Sequence, residues 1–184
     1  MKRVLSIQDI SCLGKCSLTE ALPVISAAGI ETAILPTAVL SVHTWFKSFT
    51  FHDLTDEITP ICRNWKENNF GFDGISTGYL GSFRQIELVE EAFAMFDKPG
   101  MLKLVDPVLG DNGKFYVGFD SKFAKRMTQL CGKADSRTEK TAKNAWAMSP
   151  ICVTVPLPAS SILTAGASRP FLSRPAAMQT DTSP

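Results

Sequence analysis

Short apolar runs alternate with amphipathic stretches along the first 135 residues of the chain. Four runs have the character of buried strands, and each is followed by a segment with apolar residues at helical spacing. The predicted strands cover residues 3–8, 31–36, 73–78 and 101–106, and the predicted helices cover residues 17–28, 53–68, 82–96 and 120–131. This alternation is typical of crossovers onto a parallel sheet, so the predicted fold class is α/β.

Local signals place the ends of these helices. Ser17-Leu18-Thr19-Glu20 has the form of a capping box and predicts that Ser17 caps the first helix, with Gly29 at its C-terminal end. Gly132 ends the last predicted helix. The aromatic stretch from Leu40 to Phe51 shows neither the strand nor the helix spacing of apolar residues, and we expect it to be flexible.

Polar residues recur where the predicted strands end. Asp9 and Thr37 end the first two strands, Tyr79 follows the third, and Asp106 ends the fourth. Ligands of open α/β sheets bind outside the carboxyl ends of the strands. The sequence therefore predicts a binding site at this edge.

The pattern stops near Asp135. Residues 136–184 are rich in Pro, Ser, Ala and Thr and show no period. Such a segment buries too little apolar surface to offset the conformational entropy of ordering it. We therefore predict one α/β unit over residues 1–135 and a disordered tail over residues 136–184.

Composition excludes several classes of partner. The chain has 184 residues, 45% of them apolar, and a net charge of +1, which gives no argument for nucleic acid. No apolar run is long enough to span a membrane. The five cysteines include no Cys-x-x-Cys pair, which favours reduced thiols in a cytoplasmic protein.

Two loops have the composition of ligand sites. Asp106 and Asp111 flank a proline-containing turn and suit a hydrated divalent cation beside phosphates, although two solvated aspartates in a capped loop fit the pattern equally well. The turn at Gly14 lacks the spacing of a phosphate-binding loop. It either holds an anion at a helix N-terminus or is a purely structural turn.

Several segments together resemble the pyridoxal/pyridoxamine kinase branch of the ribokinase superfamily, over residues 1–135. They occur in family order and are Ser6-Ile7-Gln8-Asp9 through Ser17-Leu18-Thr19, Leu35-Pro36-Thr37-Ala38-Val39-Leu40-Ser41-Val42-His43-Thr44, Thr77-Gly78-Tyr79-Leu80-Gly81-Ser82, and Val105-Asp106-Pro107-Val108-Leu109-Gly110-Asp111 with Tyr116. The resemblance implies a ribokinase-like three-layer fold, of which this chain holds the N-terminal half of the parallel sheet.

The resemblance also implies ATP-dependent phosphorylation of the 5′-hydroxymethyl group of a vitamin B6 vitamer. Asp9, which falls where many members have serine, would contact the substrate together with Thr37, His43 and Tyr79. Thr37 matches the threonine that meets the pyridine ring.

The nucleotide side of the site follows from the same resemblance. Asp106 and Tyr116 would lie beside ATP, and Asp111 would lie on the side of the Mg²⁺ ion, with a monovalent cation as a further candidate cofactor. Family members are commonly homodimers, which implies the same assembly here.

One family segment is missing from the sequence. Gly-x-Gly-Asp, which supplies the catalytic base and an anion hole in the superfamily, does not occur. We therefore expect the chain alone to be weakly active or inactive. We also expect it to be a truncated or frameshifted product, with the junction between Cys131 and Ser136. Two alternatives stay open: a kinase similar to hydroxymethylpyrimidine kinase, and a non-catalytic half-domain that binds ligand or dimerises.

Overall fold

The computed structural model describes residues 1–111 and 114–137, apart from the side chains of Asp111, Ser136 and Arg137. Of the tail predicted over residues 136–184, Ser136–Arg137 forms a short strand instead of being disordered, and the rest lies outside the described residues. The described part contains the elements β1 (Arg3–Leu13), α1 (Leu18–Ala27), β2 (Glu31–Val42), β3 (Phe51–Asp53), α2 (Thr55–Glu67), β4 (Gly74–Thr77), α3 (Phe83–Phe96), β5 (Leu102–Val105), β6 (Gly110–Asp111), β7 (Lys114–Phe115), α4 (Ser121–Cys131) and β8 (Ser136–Arg137).

Six strands form one sheet in the order β3-β2-β1-β4-β5-β8. All neighbours are parallel except β3, which runs antiparallel to β2 at the edge. The chain leaves β1 for β2 on one side and later enters β4 on the other, so the strand order reverses beside β1. The α/β fold class is confirmed, and a sheet of this kind forms its ligand crevice at such a switch point.

Apolar side chains from the strands and from α2, α3 and α4 form one core. The faces predicted for the last two helices are confirmed, since Ile86, Val89 and Phe93 of α3 are buried together with Phe123, Met127 and Leu130 of α4. Phe72 lies in this core with its ring edge-on to those of Trp65 and Phe96. None of the helices in the described ranges has both the length and the apolar character needed to cross a membrane.

The first two strands are longer than the sequence predicts. Asp9 and Thr37 lie inside β1 and β2 and do not end them. Both strands continue because their backbones stay paired beyond these residues, as far as Leu13 with Val42. The polar side chains in these segments interrupt the apolar pattern, which explains the early predicted ends.

Two other local predictions are wrong. Ser17 takes the N-cap position of α1 with φ 55°, but its side chain makes no capping hydrogen bond. The Thr19 hydroxyl instead accepts from the Cys16 N–H at 3.1 Å and donates to the Cys16 carbonyl at 2.8 Å. The stretch predicted to be flexible includes the end of β2 and the start of β3, since Phe51–Asp53 pairs with β2.

Candidate functional site

A bulge between β1 and β2 lies at the centre of the site. The pairing register shifts between Gln8 and Ile10, so two residues of β2, Thr37 among them, lie opposite Asp9. Pro36 directly precedes them and has no N–H to give to the ladder, which accounts for the interruption. Bulges redirect side chains and are enriched beside active sites.

The Asp9 carboxylate is buried beside this bulge. The residue is 6% exposed, and its Oδ1 atom has no hydrogen-bond partner among the described residues. Burial raises the pKa of Asp9, and a hydrogen bond from the Ser17 side chain opposes that rise. A buried polar atom without a partner is uncommon in proteins, and a polar group of a bound molecule would satisfy it.

Tyr79 brings an aromatic ring to the same edge from the loop after β4. Burial raises the pKa of its phenol, and the charges of Asp9 and Asp53 raise it further, so the hydroxyl keeps its proton at neutral pH and can donate it. Phe119 stacks on the Tyr79 ring at a centroid distance of 5.7 Å, and the Tyr116 ring lies edge-on at 6.5 Å. The predicted residues Tyr79 and Tyr116 are therefore neighbours.

Thr37 links β2 to the loop after β4. It is fully buried, and its hydroxyl donates to the Tyr79 carbonyl at 3.4 Å. Its own carbonyl accepts from Nε2 of Gln85 at 3.1 Å. The structure thus places Thr37 opposite Asp9 in the sheet and joins it to Tyr79, and the first two residues lie within their strands. The role of all three in substrate binding stays a prediction.

Gln85 was not predicted, although its side chain makes three hydrogen bonds within the described part of the chain. It is 1% exposed, and its Nε2 also donates to the Thr55 hydroxyl at 2.9 Å, while its Oε1 accepts from the Gly81 N–H at 2.7 Å. The only sequence signal is Ser82-Phe83-Arg84-Gln85, which has capping-box form. That form predicts a local role, and Ser82 does cap α3 by accepting from the Gln85 N–H.

His43 lies against the Gly14 turn. Gly14 has φ +84°, and a Cβ atom added there would lie 2.5 Å from Cδ2 of His43. The imidazole Nδ1 accepts from the Trp45 N–H at 3.3 Å, and the ring packs 4.6 Å from that of Phe46. The described hydrogen bonds of His43 do not include Asp9, so its proposed place in the substrate pocket stays a prediction.

The two aspartates predicted beside the nucleotide lie on neighbouring segments after β5. The Asp106 N–H donates to the Thr77 carbonyl at 3.3 Å, which holds Asp106 at the carboxyl edge, two strand spacings or roughly 10 Å from β1. Asp111 lies in β6 opposite Lys114, and its side chain is outside the described part.

The carboxyl edge near Asp106 offers few protein ligands for a magnesium ion. The described residues contain no group of three or more His, Cys, Asp or Glu that could hold a metal. Mg²⁺ usually takes one or two carboxylates and completes its shell with water and phosphate oxygens. The roles of Asp106 beside the nucleotide and of Asp111 beside the ion stay predictions.

These residues outline a site for a small, polar, aromatic molecule at the switch point of an open α/β sheet. The bulge supplies a buried carboxylate, Tyr79 and Tyr116 supply rings, and the Asp106 side of the sheet can face phosphates. Small-molecule sites typically combine apolar walls with a few convergent polar groups. The class of protein is therefore an α/β protein with a candidate small-molecule site at the switch point of its sheet.

Comparisons with known proteins show which proteins of this class the chain resembles. No family model matches the chain. A Schizosaccharomyces pombe protein named "Putative pyridoxal kinase" is 29% identical over 126 residues, which cover 63% of this chain and 35% of that protein. A solved "putative phosphomethylpyrimidine kinase" of Bacteroides thetaiotaomicron, crystallised with pyridoxal, is 46% identical with a TM-score of 0.71. That match covers 74% of this chain and 48% of the other.

Solved pyridoxal kinases align over the same part. The Lactobacillus plantarum enzyme is 33% identical with a TM-score of 0.69, and the match covers 74% of this chain and 49% of that enzyme. A Leishmania donovani pyridoxal kinase solved with ADP and pyridoxine is 25% identical with a TM-score of 0.65, over 74% of this chain and 50% of the other. The resemblance to pyridoxal kinases is confirmed for the N-terminal part of the chain, and so is the ribokinase-like fold. The chain spans about half the length of these structures and about a third of the curated relative.

Proposed function

We propose that this chain carries the substrate-binding part of an ATP-dependent kinase that phosphorylates the 5′-hydroxymethyl group of pyridoxal, pyridoxine or pyridoxamine. The observation that carries the proposal is the convergence of Asp9, Thr37 and Tyr79 at the bulge beside β1. The Bacteroides relative crystallised with pyridoxal supports the same class of ligand.

Each side chain has a chemical role in this proposal. Tyr79 offers an aromatic surface to the pyridine ring. Asp9 offers its unpartnered oxygen to a polar ring substituent or to the ring nitrogen, and Thr37 fixes the wall against which the ring lies. His43 would approach the ring from the Gly14 side.

ATP and Mg²⁺ complete the proposal on the other side of the crevice. Asp106 and Tyr116 would lie beside the nucleotide, which the Leishmania structure with bound ADP supports for a protein of this fold. Asp111 would lie on the side of the ion, and Asp106 would lie near the phosphates of ATP. The ion would screen the charge of the phosphate oxygens.

A second candidate substrate is a hydroxymethylpyrimidine. It is favoured by the name of the Bacteroides relative, although that structure holds pyridoxal. Competition between pyridoxal and hydroxymethylpyrimidine for the purified full chain distinguishes the two substrates. Displacement of bound pyridoxal only by a large excess of the pyrimidine supports the vitamin B6 assignment.

Calorimetric titration of the full chain with pyridoxal tests the proposal directly. Tyr79→Leu should weaken binding about two- to tenfold, since an aromatic contact contributes about 0.5–1.5 kcal/mol beyond area burial. Phe70→Leu is the matched control, because Phe70 lies over Arg3 at the opposite end of the strands. Equal affinity in both variants would contradict the assigned pocket.

Turnover is measured separately from binding. The sequence contains no Gly-x-Gly-Asp segment, so pyridoxal-dependent release of ADP decides whether this chain is a catalyst by itself. Saturable binding without ADP release would support the non-catalytic alternative, a half-domain that binds the vitamer.

We also propose a cytoplasmic homodimer. Cys12, Cys16 and Cys62 are reduced thiols in the described part, which is in keeping with a reducing compartment. Exposed aromatic side chains near the edge strand β3, such as Trp45, support a further contact surface. Light scattering coupled to gel filtration measures the assembly, and a monomer at micromolar concentration would contradict the dimer.

A further inference from the structure

The side chain of Gln85 closes a ring of hydrogen bonds around the proposed pocket. From Gln85 the ring passes through Nε2 to the Thr37 carbonyl, and from the Thr37 hydroxyl to the Tyr79 carbonyl. The chain then runs from Tyr79 to Gly81, whose N–H returns to Oε1 of Gln85. Two candidate substrate residues therefore belong to one closed hydrogen-bonded unit with Gln85.

This unit connects parts of the chain that are distant in sequence. Thr37 lies in β2 and Tyr79 lies in the loop between β4 and α3, on opposite sides of β1 in the sheet. The remaining Nε2 hydrogen binds Thr55 at the start of α2. The Thr37 carbonyl also accepts from the Leu54 N–H at 3.0 Å, so Gln85 is one of two donors to it. Gln85 itself is 1% exposed, and an apolar side chain in its place would break the link between Thr37 and Gly81.

We propose that Gln85 is a positioning residue for the vitamer site, and that its amide sets the distance between Thr37 and the loop that carries Tyr79. The inference rests on the proposed function for its ligand. Gln85 acts through Thr37 and Gly81 and does not touch the substrate. Loss of the amide frees the Tyr79 loop, so the arrangement that binds the vitamer is populated only part of the time. The apparent affinity for the vitamer is then the intrinsic affinity multiplied by the fraction of molecules in the binding arrangement.

The test compares two Gln85 variants with a control on the same helix. Gln85→Met keeps the volume and removes every polar contact, whereas Gln85→Glu keeps the acceptor for Gly81 and loses the donor to Thr37. Leu88→Ala is the control, because Leu88 is a buried residue of α3 that belongs to the core and not to the ring. We expect all three to lower Tm, and only the two Gln85 variants to weaken pyridoxal binding, by about tenfold.

A second readout follows Tyr79 without any ligand. The chain contains two tyrosines, so 3-fluorotyrosine labelling gives two ¹⁹F signals, which a Tyr116→Phe variant assigns. The Tyr79 signal should shift or broaden in Gln85→Met and stay unchanged in Leu88→Ala.

The outcomes separate this inference from the proposed function. An unchanged Tyr79 signal in both Gln85 variants, with pyridoxal affinity equal to that of Leu88→Ala, would overturn the positioning role. A wild-type chain that binds no vitamer would overturn the proposed function, while the ¹⁹F signal would still decide whether Gln85 positions Tyr79.

Discussion

Replacing Asp9 with asparagine should stabilise the folded protein at neutral pH. Burial raises the pKa of Asp9 above its ordinary value of 3.8, so the folded state resists ionisation more than the unfolded state does. The contribution of such a group to stability is complete below the unfolded pKa and is lost as the pH rises through the folded pKa. Asparagine never ionises and avoids this loss.

The size of the effect follows from one atom. Oδ1 of Asp9 is buried without a partner among the described residues, and an unsatisfied buried polar atom costs about 1–3 kcal/mol. Asparagine leaves a neutral polar atom in the same buried place, so the substitution recovers only the additional cost of burying the charge, about 1–2 kcal/mol. For a protein of this size that corresponds to a rise in Tm of about 2–8 °C.

Thermal unfolding followed by circular dichroism between about pH 4 and about pH 7 measures the difference between variant and wild type. The advantage of Asp9→Asn should grow with pH across this window. A lower Tm for Asp9→Asn at neutral pH, or a difference that is constant across the window, would refute the argument.

Asp73→Asn is the matched control, for which we expect the opposite change in stability. The Arg3 N–H at 2.9 Å and the Lys98 ammonium at 3.2 Å bind the Asp73 carboxylate, and these hydrogen bonds lower its pKa to about 2. Its stabilising contribution is present above the unfolded pKa of 3.8 and is lost as the pH falls through about 2. Asp73→Asn should therefore destabilise the protein at neutral pH, and the difference should shrink in acid.

Three further substitutions test the core, a turn and an ion pair. Phe72→Ala should cost about 3–5 kcal/mol in urea unfolding, because a buried ring is lost. Gly14→Ala should lower Tm more than Gly100→Ala, since both have positive φ but only Gly14 faces another side chain; equal losses would contradict that contact. Glu90→Gln removes the 2.8 Å ion pair with Arg126 and should cost about 1 kcal/mol at neutral pH, falling with added salt; a salt-independent loss would point to packing.

Periodicity predicted the helices that pack on the core and the strands without polar interruptions. The apolar residues of α3 and α4 repeat at helical spacing, and their bounds are confirmed within one residue. The ends of β1 and β2 were missed because Asp9 and Ser11 in β1 and Thr37 in β2 are buried polar residues inside a strand. β3 was missed because its three residues are all exposed and its pairing is set by β2.

The sequence could predict those residues of the candidate site whose position follows from the order and direction of the strands. Parallel strands bring their carboxyl ends to one edge, and this rule by itself predicts that Asp106 and Tyr79 lie beside the crevice. The bulge at Thr37 depends on how Pro36 pairs with the neighbouring strand. The partners of Gln85 lie as far away as Thr37 in the chain. Contacts between distant segments of this kind leave no periodic signal in the sequence.

The central position of β1 also determines the order in which the sheet can assemble. Arg3 pairs with Glu31, 28 positions later, whereas Val4 pairs with Gly74, 70 positions later. Closing the longer loop costs about 0.8 kcal/mol more chain entropy. The β1–α1–β2 unit can therefore form early in refolding, and pulsed hydrogen exchange should protect its amides before those of β4 and β5. The bulge lies within this unit, so one wall of the crevice forms before β4 brings Tyr79 to face it.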